Sequence, residues 1–446
     1  MRVVFLGLLW TLSGCGFSAN HYLLIDQSLL ANDPRRADAI MAQAESEYGS
    51  RNRLLYDMDR GMTLHLAGDY VQSNSLLEQA SLEVERLYTR TIRTETAAFL
   101  TNDTMLPYEG DPYEHVMINV VKALNYAAMG QLMEAVVEAR QIDHRLNVLS
   151  DSAKEKDGYR EDAFARYLTG VLYEATGDLN NAFIAYRKAY EIYESTRGWA
   201  RTPMPPMLRA DLLRTTDALH MTAEFEEYRR QFPDTGWVSL QGQPDLAQVV
   251  VIGYNGRAPR KEEVHLDIPV SLGALQLVLL NRGVIHASNR QERRVADSVL
   301  YGLNGRVVRV ALPRLVPQKT QVSHESITLV PRNGEPITGQ SQLMYNSTEL
   351  KKKSLSDRMP GITTKALARA AVKFTAAEAA TRGSQHAVNK GDAAWVGLLV
   401  GLLTHGLAVA SEVADTRSWR TLPDEIQISR LWVPAGEYES RIQPVL

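Results

Sequence analysis

Cys15 is the residue of this chain with the clearest chemistry. It is the one cysteine among 446 residues, and it follows a positive charge at Arg2, an apolar run at 3–12 and two small residues. An apolar run of this length is too short to span a bilayer, and small residues before a thiol are typical of a cleavage site. The pattern predicts a lipoprotein signal peptide at 1–14 and acylation of the Cys15 thiol. The open alternative is an ordinary leader with an incidental cysteine.

The same cysteine predicts a compartment. A free thiol in an exported chain would oxidise or pair, and acylation consumes it. Gly16 follows, where an aspartate is the usual signal for retention in the inner membrane. Since stable anchoring needs more than one acyl chain, we expect a chain held by several acyl chains in the outer membrane, on its periplasmic face.

Motifs of catalytic chemistry are missing from the rest of the sequence. It has no Gly-x-Ser-x-Gly elbow, no His-Glu-x-x-His pair and no phosphate-binding loop, and its ten histidines show no metal-ligand spacing. A net charge of −3 and the lack of a basic stripe argue against nucleic-acid binding. We therefore expect no cofactor, no metal and no enzymatic activity. An envelope hydrolase with a dispersed site is the alternative.

Three stretches share a helix–turn–helix pattern: 61–80, 123–142 and 170–189. In each, a small residue is followed three positions later by a large one, and then by a glycine at Gly68, Gly130 or Gly177. Glycine ends a helix in the left-handed conformation without steric cost, and small residues let two helices approach closely. This is the tetratricopeptide pattern, and it predicts a helical repeat domain at 15–235 with extra segments between the copies.

The first helices of such repeats present their second, fifth and ninth residues to a groove. These positions are mostly apolar here: Leu55, Met58, Met62, Met117, Val120, Leu124, Phe164, Tyr167 and Val171. A groove for a charged peptide would carry lysine, arginine or asparagine instead. Two alternatives remain open. Either the chain's own segments cover the groove, or Met58, Met62 and Tyr167 contact an apolar helix of a partner protein.

From 236 onwards the pattern changes to short strands. They are predicted at 248–254, 264–270, 275–280, 298–303, 306–312, 326–330, 342–345 and 425–433. Short strands with regular turns favour a sandwich-like or open-barrel arrangement. The predicted fold class is α+β, with a tetratricopeptide-like α-helical domain followed by a β-rich domain at 236–446.

A predicted helical hairpin at 363–413 interrupts the β-rich domain. Its second half, 393–410, is almost wholly apolar and contains Trp395, and Gly397 and Gly401 share one face of the expected helix. Small residues on one face let another helix come close. The hairpin is buried in the domain, packs against a partner subunit or a membrane, or spans a bilayer. The strand pattern that resumes after it argues against spanning.

Two polar stretches are candidates for contacts. The basic run 351–353 is expected on a solvated helix face or against an anionic surface. Arg417 and Trp419 belong to a polar and aromatic stretch at 414–425. They either form a recognition patch for a partner or tie the insert back onto the sheet.

Four segments resemble signatures of an uncharacterised family of bacterial tetratricopeptide-containing lipoproteins. They are PYEGDPYEHVMINVVKALNYAAMG at 107–130, EDAFARYLTGVLYEATGD at 161–178, GYNGRAPRKEE at 253–263 and ADTRSWRTLPDEIQISR at 414–430. Members of that family tend to be encoded beside a lipoprotein similar to the penicillin-binding-protein activator and the curli-secretion pore. The resemblance thus implies an envelope assembly partner of that kind. It assigns no functional residue except the lipidated Cys15.

The leading hypothesis is a lipoprotein that scaffolds protein–protein interaction in envelope assembly or regulation. The alternative is a structural or pore-associated subunit of an envelope complex, which would use the hairpin at 363–413 for oligomer or membrane contacts.

Overall fold

The computed structural model describes most of the helical half and parts of the β-rich half. The described residues are 20–98, 104, 106–152, 161–195, 202–241, 245–269, 307–366 and 413–446. Cys15, Trp395, Gly397 and Gly401 lie outside them, as do the strands expected at 275–280 and 298–303.

The first half of the described chain is helical. The helices are Asn20–Leu30 (α1), Pro34–Gln43 (α2), Glu45–Tyr48 (α3), Arg53–Ala67 (α4), Tyr70–Ala98 (α5), Pro112–Ala128 (α6), Leu132–Ser152 (α7), Ala163–Ala175 (α8), Leu179–Ser195 (α9), Pro206–Ala218 (α10) and Thr222–Gln231 (α11). The pairs α4–α5, α6–α7 and α8–α9 pack as hairpins and coincide with the three predicted repeats. The tetratricopeptide-like arrangement is therefore confirmed, and α10–α11 adds a fourth hairpin.

The turns of the three repeats have the geometry that the glycines predict. Gly68, Gly130 and Gly177 have φ angles of 81°, 73° and 80°, in the left-handed region. The amide N–H of Gly68 donates to the carbonyl oxygen of His65, which closes the end of α4. The extra length between the repeats is partly helical, because α5 extends over 29 residues and α7 over 21.

Gly170 shows why the repeats need a small residue in their first helix. A Cβ atom at this position would fall onto the ring of Tyr186 in the paired helix α9. We expect Gly170→Ala to lower the free energy of unfolding by about 1–3 kcal/mol, because overpacking forces the two helices apart. The measurement is equilibrium unfolding in urea.

Gly361 provides the matched control for that prediction. It is helical, and no atom lies within 4 Å of the position its Cβ would take. Gly361→Ala should therefore stabilise the protein by about 0.5–1 kcal/mol through helix propensity alone. Equal effects of the two substitutions would contradict close packing at Gly170.

The described strands form three small antiparallel sheets. The strands are Leu246–Asn255 (β1), Arg257–Pro269 (β2), Val307–Gln318 (β3), His324–Pro331 (β4), Ile337–Gln340 (β5), Gln342–Asn346 (β6), Glu425–Pro434 (β7) and Tyr438–Val445 (β8). Their order is β1-β7-β6 in one sheet, β2-β3 in the second and β5-β4-β8 in the third. The α+β fold class is thus confirmed for the described residues. Strands β5 and β8 were not predicted.

Strand β7 lies between two layers. Successive side chains of a strand point to opposite faces. Ile426 and Ile428 join the core of the helices, whereas Val433 packs with Ile327 and Leu329 of the sheet β5-β4-β8. The sheet β1-β7-β6 is therefore a middle layer, covered by helices on one face and by strands on the other.

One hydrophobic core runs through both halves of the described chain. It joins buried residues of the helices to Tyr345, Trp419 and Ile428 of the C-terminal half. The rings of Phe164 and Tyr345 lie 5.6 Å apart between centroids. Of the two alternatives for the groove, the structure shows the first, because the chain's own segments cover it.

A helix at 347–366 follows β6 and leads toward the predicted hairpin. It begins where the carboxylate of Asp424 accepts hydrogen bonds from the Thr348 amide and the Ser347 hydroxyl, at 3.0 and 3.2 Å. Its residue Ala366 packs on Val310 of β3. The helix expected from 363 onwards therefore begins 16 residues earlier, and the insert beyond 366 lies outside the described residues up to 412.

Candidate functional site: the filled groove

The groove is the concave side of the first helices of the hairpins, α4, α6, α8 and α10. The C-terminal segment, defined here as 414–432, lies against it and supplies three polar anchoring points. Each anchoring point pairs a buried carboxylate of a helix with donors of the C-terminal segment. The groove is therefore filled by polar contacts as well as by apolar packing.

The first anchoring point surrounds Arg430 of β7, whose side chain is 3% exposed. Its Nη1 lies 2.6 Å from Oδ2 of Asp211 and donates to the hydroxyl oxygens of Tyr167 and Tyr186 at 3.2 and 3.1 Å. Its Nη2 lies 2.6 Å from Oε2 of Glu174. Burial opposes the charge of Arg430, but the two carboxylates hold its pKa well above the ordinary value.

A second arginine, Arg214, balances the charge of this anchoring point. Its Nε donates to Glu174 at 2.8 Å, and its Nη2 lies 2.7 Å from Asp211. Burial would raise the pKa of Glu174, but Arg430 and Arg214 lower it to about 2. Two arginines thus face two carboxylates, with all four side chains at most 7% exposed, and Glu174 stays ionised at neutral pH.

The second anchoring point is Asp59, a fully buried residue of α4. Its Oδ1 accepts from the Thr421 hydroxyl at 2.9 Å and from the amides of Arg420 and Thr421 at 3.2 Å each. Its Oδ2 accepts from the hydroxyls of Tyr48, at 3.0 Å, and Tyr22. Burial raises the pKa of Asp59, and these hydrogen bonds oppose the rise. The guanidinium of Arg420 lies 3.9 Å from the ring centroid of Tyr22.

The third anchoring point joins Glu114 of α6 to Trp419. The Trp419 amide donates to Oε1 of Glu114 at 2.9 Å, and the hydroxyls of Tyr108 and Tyr113 donate to the same carboxylate at 2.6 and 3.1 Å. Lys351 donates to the Trp419 carbonyl oxygen at 3.0 Å. Trp419 is fully buried and is the largest such side chain of the described residues.

Arg417 completes the contact between the C-terminal segment and the helices. Its Nη1 donates to Oδ1 of Asn52 at 2.9 Å and to the carbonyl oxygen of Leu106 at 3.0 Å. Its Nη2 pairs with Asp415 at 2.7 Å, and its guanidinium lies 5.4 Å from the ring centroid of Tyr108. The stretch 414–425 thus ties the C-terminal segment to the helices, whereas the predicted tie between the insert and the sheet involves residues outside the described ones and stays a prediction.

The structure places the sequence-predicted contact residues in the interior. Met58, Met62, Tyr167, Arg417 and Trp419 are all buried. The C-terminal segment occupies the groove, which agrees with the first of the two alternatives and not with an apolar helix of a partner protein. Trp395, Gly397 and Gly401 lie outside the described residues, so their contacts stay a prediction.

Lys351 corrects the expectation of a solvated basic run. It is buried beside Trp419, whereas its neighbour Lys352 is exposed. Burial lowers the pKa of Lys351 to about 8, although Glu114 opposes this shift. A run of three lysines does not indicate which of their side chains lies on the inner face of the helix 347–366 and which on the outer face.

The buried lysine predicts a pH effect. Since the pKa of Lys351 falls from 10.5 to about 8 on folding, the unfolded chain binds more protons in this interval. The contribution of Lys351 to the free energy of unfolding should therefore increase as the pH rises from about 8 to about 10.5. We expect the free energy of unfolding of the wild type, relative to Lys351→Met, to be larger at about pH 9.5 than at about pH 7. Lys352→Met is the control for loss of a lysine charge. A pH-independent difference between wild type and Lys351→Met would contradict the prediction.

No group of three or more histidine, cysteine or acidic side chains among the described residues is arranged to hold a metal ion. None of the helices in the described part of the chain is both long and apolar enough to cross a bilayer. The groove contacts described above hold the chain together, and we assign them no catalytic step.

The comparisons with known proteins find a likeness to solved structures over about half of the chain. No protein family and no curated protein matches the chain. Among solved structures, it is similar to the TPR-like repeats of a putative kinesin light chain from Podosopora anserina, with 17% identity, 48% of this chain and 92% of that chain covered, and a TM-score of 0.33. It is also similar to MamA from Desulfovibrio magneticus RS-1, with 12% identity, coverage of 49% and 93%, and a TM-score of 0.30. A third is the Rap conjugation gene regulator of plasmid pLS20 in complex with the Phr* peptide, with 15% identity, coverage of 52% and 60%, and a TM-score of 0.30.

Proposed function

We propose that this protein is a non-enzymatic lipoprotein of the outer membrane, which faces the periplasm and scaffolds another protein of the cell envelope. The observation that carries the scaffold role is the filled groove. Because Arg430, Asp59 and Glu114 join the helices to the C-terminal segment, the two halves form one unit with an occupied interior. A partner then binds the outside of the repeats. The anchor rests on the pattern of 1–14 and on the thiol of Cys15.

The second helices of the hairpins offer such an outside surface. Seven large apolar side chains that are exposed lie on α5 and α7: Val71, Leu82, Tyr88, Leu132, Met133, Val137 and Val148. Met133 and Val137, four positions apart, share one face of α7, and exposed apolar side chains that share a face are typical of protein-interaction surfaces. We propose that these seven residues, the α5–α7 surface, bind the partner. The family resemblance implies that this partner is a lipoprotein similar to the penicillin-binding-protein activator and the curli-secretion pore.

The anchor is tested at Cys15. The Cys15→Ser chain should lose labelling by radioactive palmitate and should leave the membrane fraction of cells. Gly16→Asp is the matched control for compartment, since it should keep the acyl label but move the protein from the outer to the inner membrane on a density gradient. A Cys15→Ser chain that stays acylated would contradict the anchor.

The scaffold role is tested by site-specific photo-crosslinking in cells. A photoreactive residue at Met133 should give an adduct with one envelope lipoprotein, which mass spectrometry then identifies. The same residue at Arg332, an exposed position after β4, is the control and should give no such adduct. Equal adducts at both positions, or none at Met133, would contradict a partner on the α5–α7 surface.

A further inference from the structure

Helix α1 exposes apolar side chains that the described part of the chain does not cover. Leu23, Leu24 and Leu30 are 63%, 48% and 88% exposed. Asn20 and Gln27 lie on the same side of the helix, because residues three and four positions apart share a face. The three exposed leucines make this side of α1 an apolar surface.

The opposite side of α1 fixes how the helix is oriented. Tyr22 and Ile25 are buried in the common core, and the Tyr22 hydroxyl donates to Asp59. The single acidic residue of α1, Asp26, pairs with Arg257 of β2 at 3.3 Å. The exposed side therefore carries no charge, and it cannot turn inward without breaking the Asp59 anchoring point.

The distance to Cys15 limits what can cover this side. Five residue steps separate Cys15 from Asn20, the first residue of α1. Five extended residues span at most about 18 Å. If acyl chains hold Cys15 at a bilayer, as the proposed function states, α1 begins within that distance of the lipid surface.

We infer that α1 lies on the periplasmic leaflet of the outer membrane and inserts Leu23, Leu24 and Leu30 among the lipids. The occupant of this face is the phospholipid surface itself. The apolar side chains of an interfacial helix settle about 5–10 Å deep, at the boundary between head groups and acyl chains. The inference rests on the proposed acylation of Cys15. It adds that the body of the protein is held in one orientation and does not swing freely on its tether.

The test uses the acylated full chain, in which Cys15 has no free thiol. The variant Gln27→Cys then carries one reactive cysteine at the centre of the exposed side, to which an environment-sensitive fluorophore is attached. The protein is reconstituted in vesicles of phosphatidylethanolamine and phosphatidylglycerol that contain a lipid-bound quencher. We expect a blue shift and strong quenching at this position. The same label at Val71→Cys, an exposed apolar position on α5, should show neither.

A second set of variants tests the leucines themselves. The triple change Leu23→Gln, Leu24→Gln and Leu30→Gln should abolish quenching of the label at position 27. Leu82→Gln, which also replaces an exposed leucine, should leave it intact.

Flotation of the same vesicles distinguishes a failure of the inference that α1 docks on lipid from a failure of the proposed anchor at Cys15. Protein that floats but is not quenched at position 27 overturns the inference and leaves the anchor in place. Protein that is neither acylated nor floated overturns the anchor, and the inference falls with it. Quenching that persists in the triple variant, or that is equal at positions 27 and 71, overturns the docking of this face on lipid.

Discussion

Arg430→Met is expected to lower the free energy of unfolding by about 3–5 kcal/mol, because removal of one partner leaves buried carboxylates without their counter-charge. The guanidinium contacts Asp211 and Glu174, whose side chains are 3% and 7% exposed, and Arg214 alone cannot neutralise two carboxylates. The loss should appear in urea unfolding at neutral pH, followed by circular dichroism.

An exposed ion pair supplies the control for this prediction. Arg332 pairs with Glu437 at 2.7 Å, and the two side chains are 82% and 74% exposed. Arg332→Met should change the free energy of unfolding by no more than about 1 kcal/mol. Adding Asp211→Asn to Arg430→Met removes one of the unpaired charges and should restore part of the lost stability. Similar effects of Arg430→Met and Arg332→Met would show that the Arg430 anchoring point contributes little.

Trp419→Ala should be comparably destabilising, by about 3–5 kcal/mol, since it leaves a large cavity in the common core. Trp419 is fully buried, and its amide and carbonyl groups bond Glu114 of α6 and Lys351 of the helix 347–366. The cavity therefore opens where the C-terminal segment meets the helices. Equilibrium unfolding gives the size of the loss.

Two further variants make the Trp419 prediction specific. Trp419→Phe keeps most of the ring volume but loses the hydrogen bond from Nε1 to the Thr421 hydroxyl, so we expect a loss of about 1–2 kcal/mol. Tyr88→Ala, at an exposed aromatic residue of α5, should stay within about 0.5 kcal/mol. If Trp419→Ala were no worse than Tyr88→Ala, Trp419 would not belong to a packed core.

The helical repeats could be predicted because their signals are local. The glycine turns at Gly68, Gly130 and Gly177 are close in sequence to the small residues of the same hairpin. The two helices of each hairpin pack against each other. The predicted stretches 61–80, 123–142 and 170–189 each fall within one of these hairpins. Local periodicity is sufficient where an element packs on its neighbour in the chain.

The filling of the groove could not be derived in the same way. Arg430 and Tyr167 are 263 positions apart, and no local sequence pattern around either residue indicates that they are in contact. A signal was present, however, in Asp59 and Glu114, which stand on helices whose buried residues are mostly apolar. A carboxylate in such a place needs buried donors. That reasoning predicts that the groove is occupied, but not by which segment.

Strands β5 and β8 were missed for different reasons. Strand β5 has only four residues, Ile337–Gln340, too few to show alternation. Strand β8 is mostly exposed and polar and contains Pro444, so its pairing with β4 follows from the backbone rather than from apolar side chains. Both lie beside β4 at the outer layer, where packing on the helices plays no part.

The position of strand β7 affects how the chain matures. It is the central strand between β1 and β6, yet it follows both in the sequence by a long interval. The chain is synthesised from its amino end, so the repeats are made first, with Asp211 and Glu174 exposed to water and the apolar groove uncovered. The groove stays uncovered until Glu425–Pro434 has been made. We therefore expect a chain truncated anywhere before Glu425 to aggregate rather than to fold as a smaller functional protein.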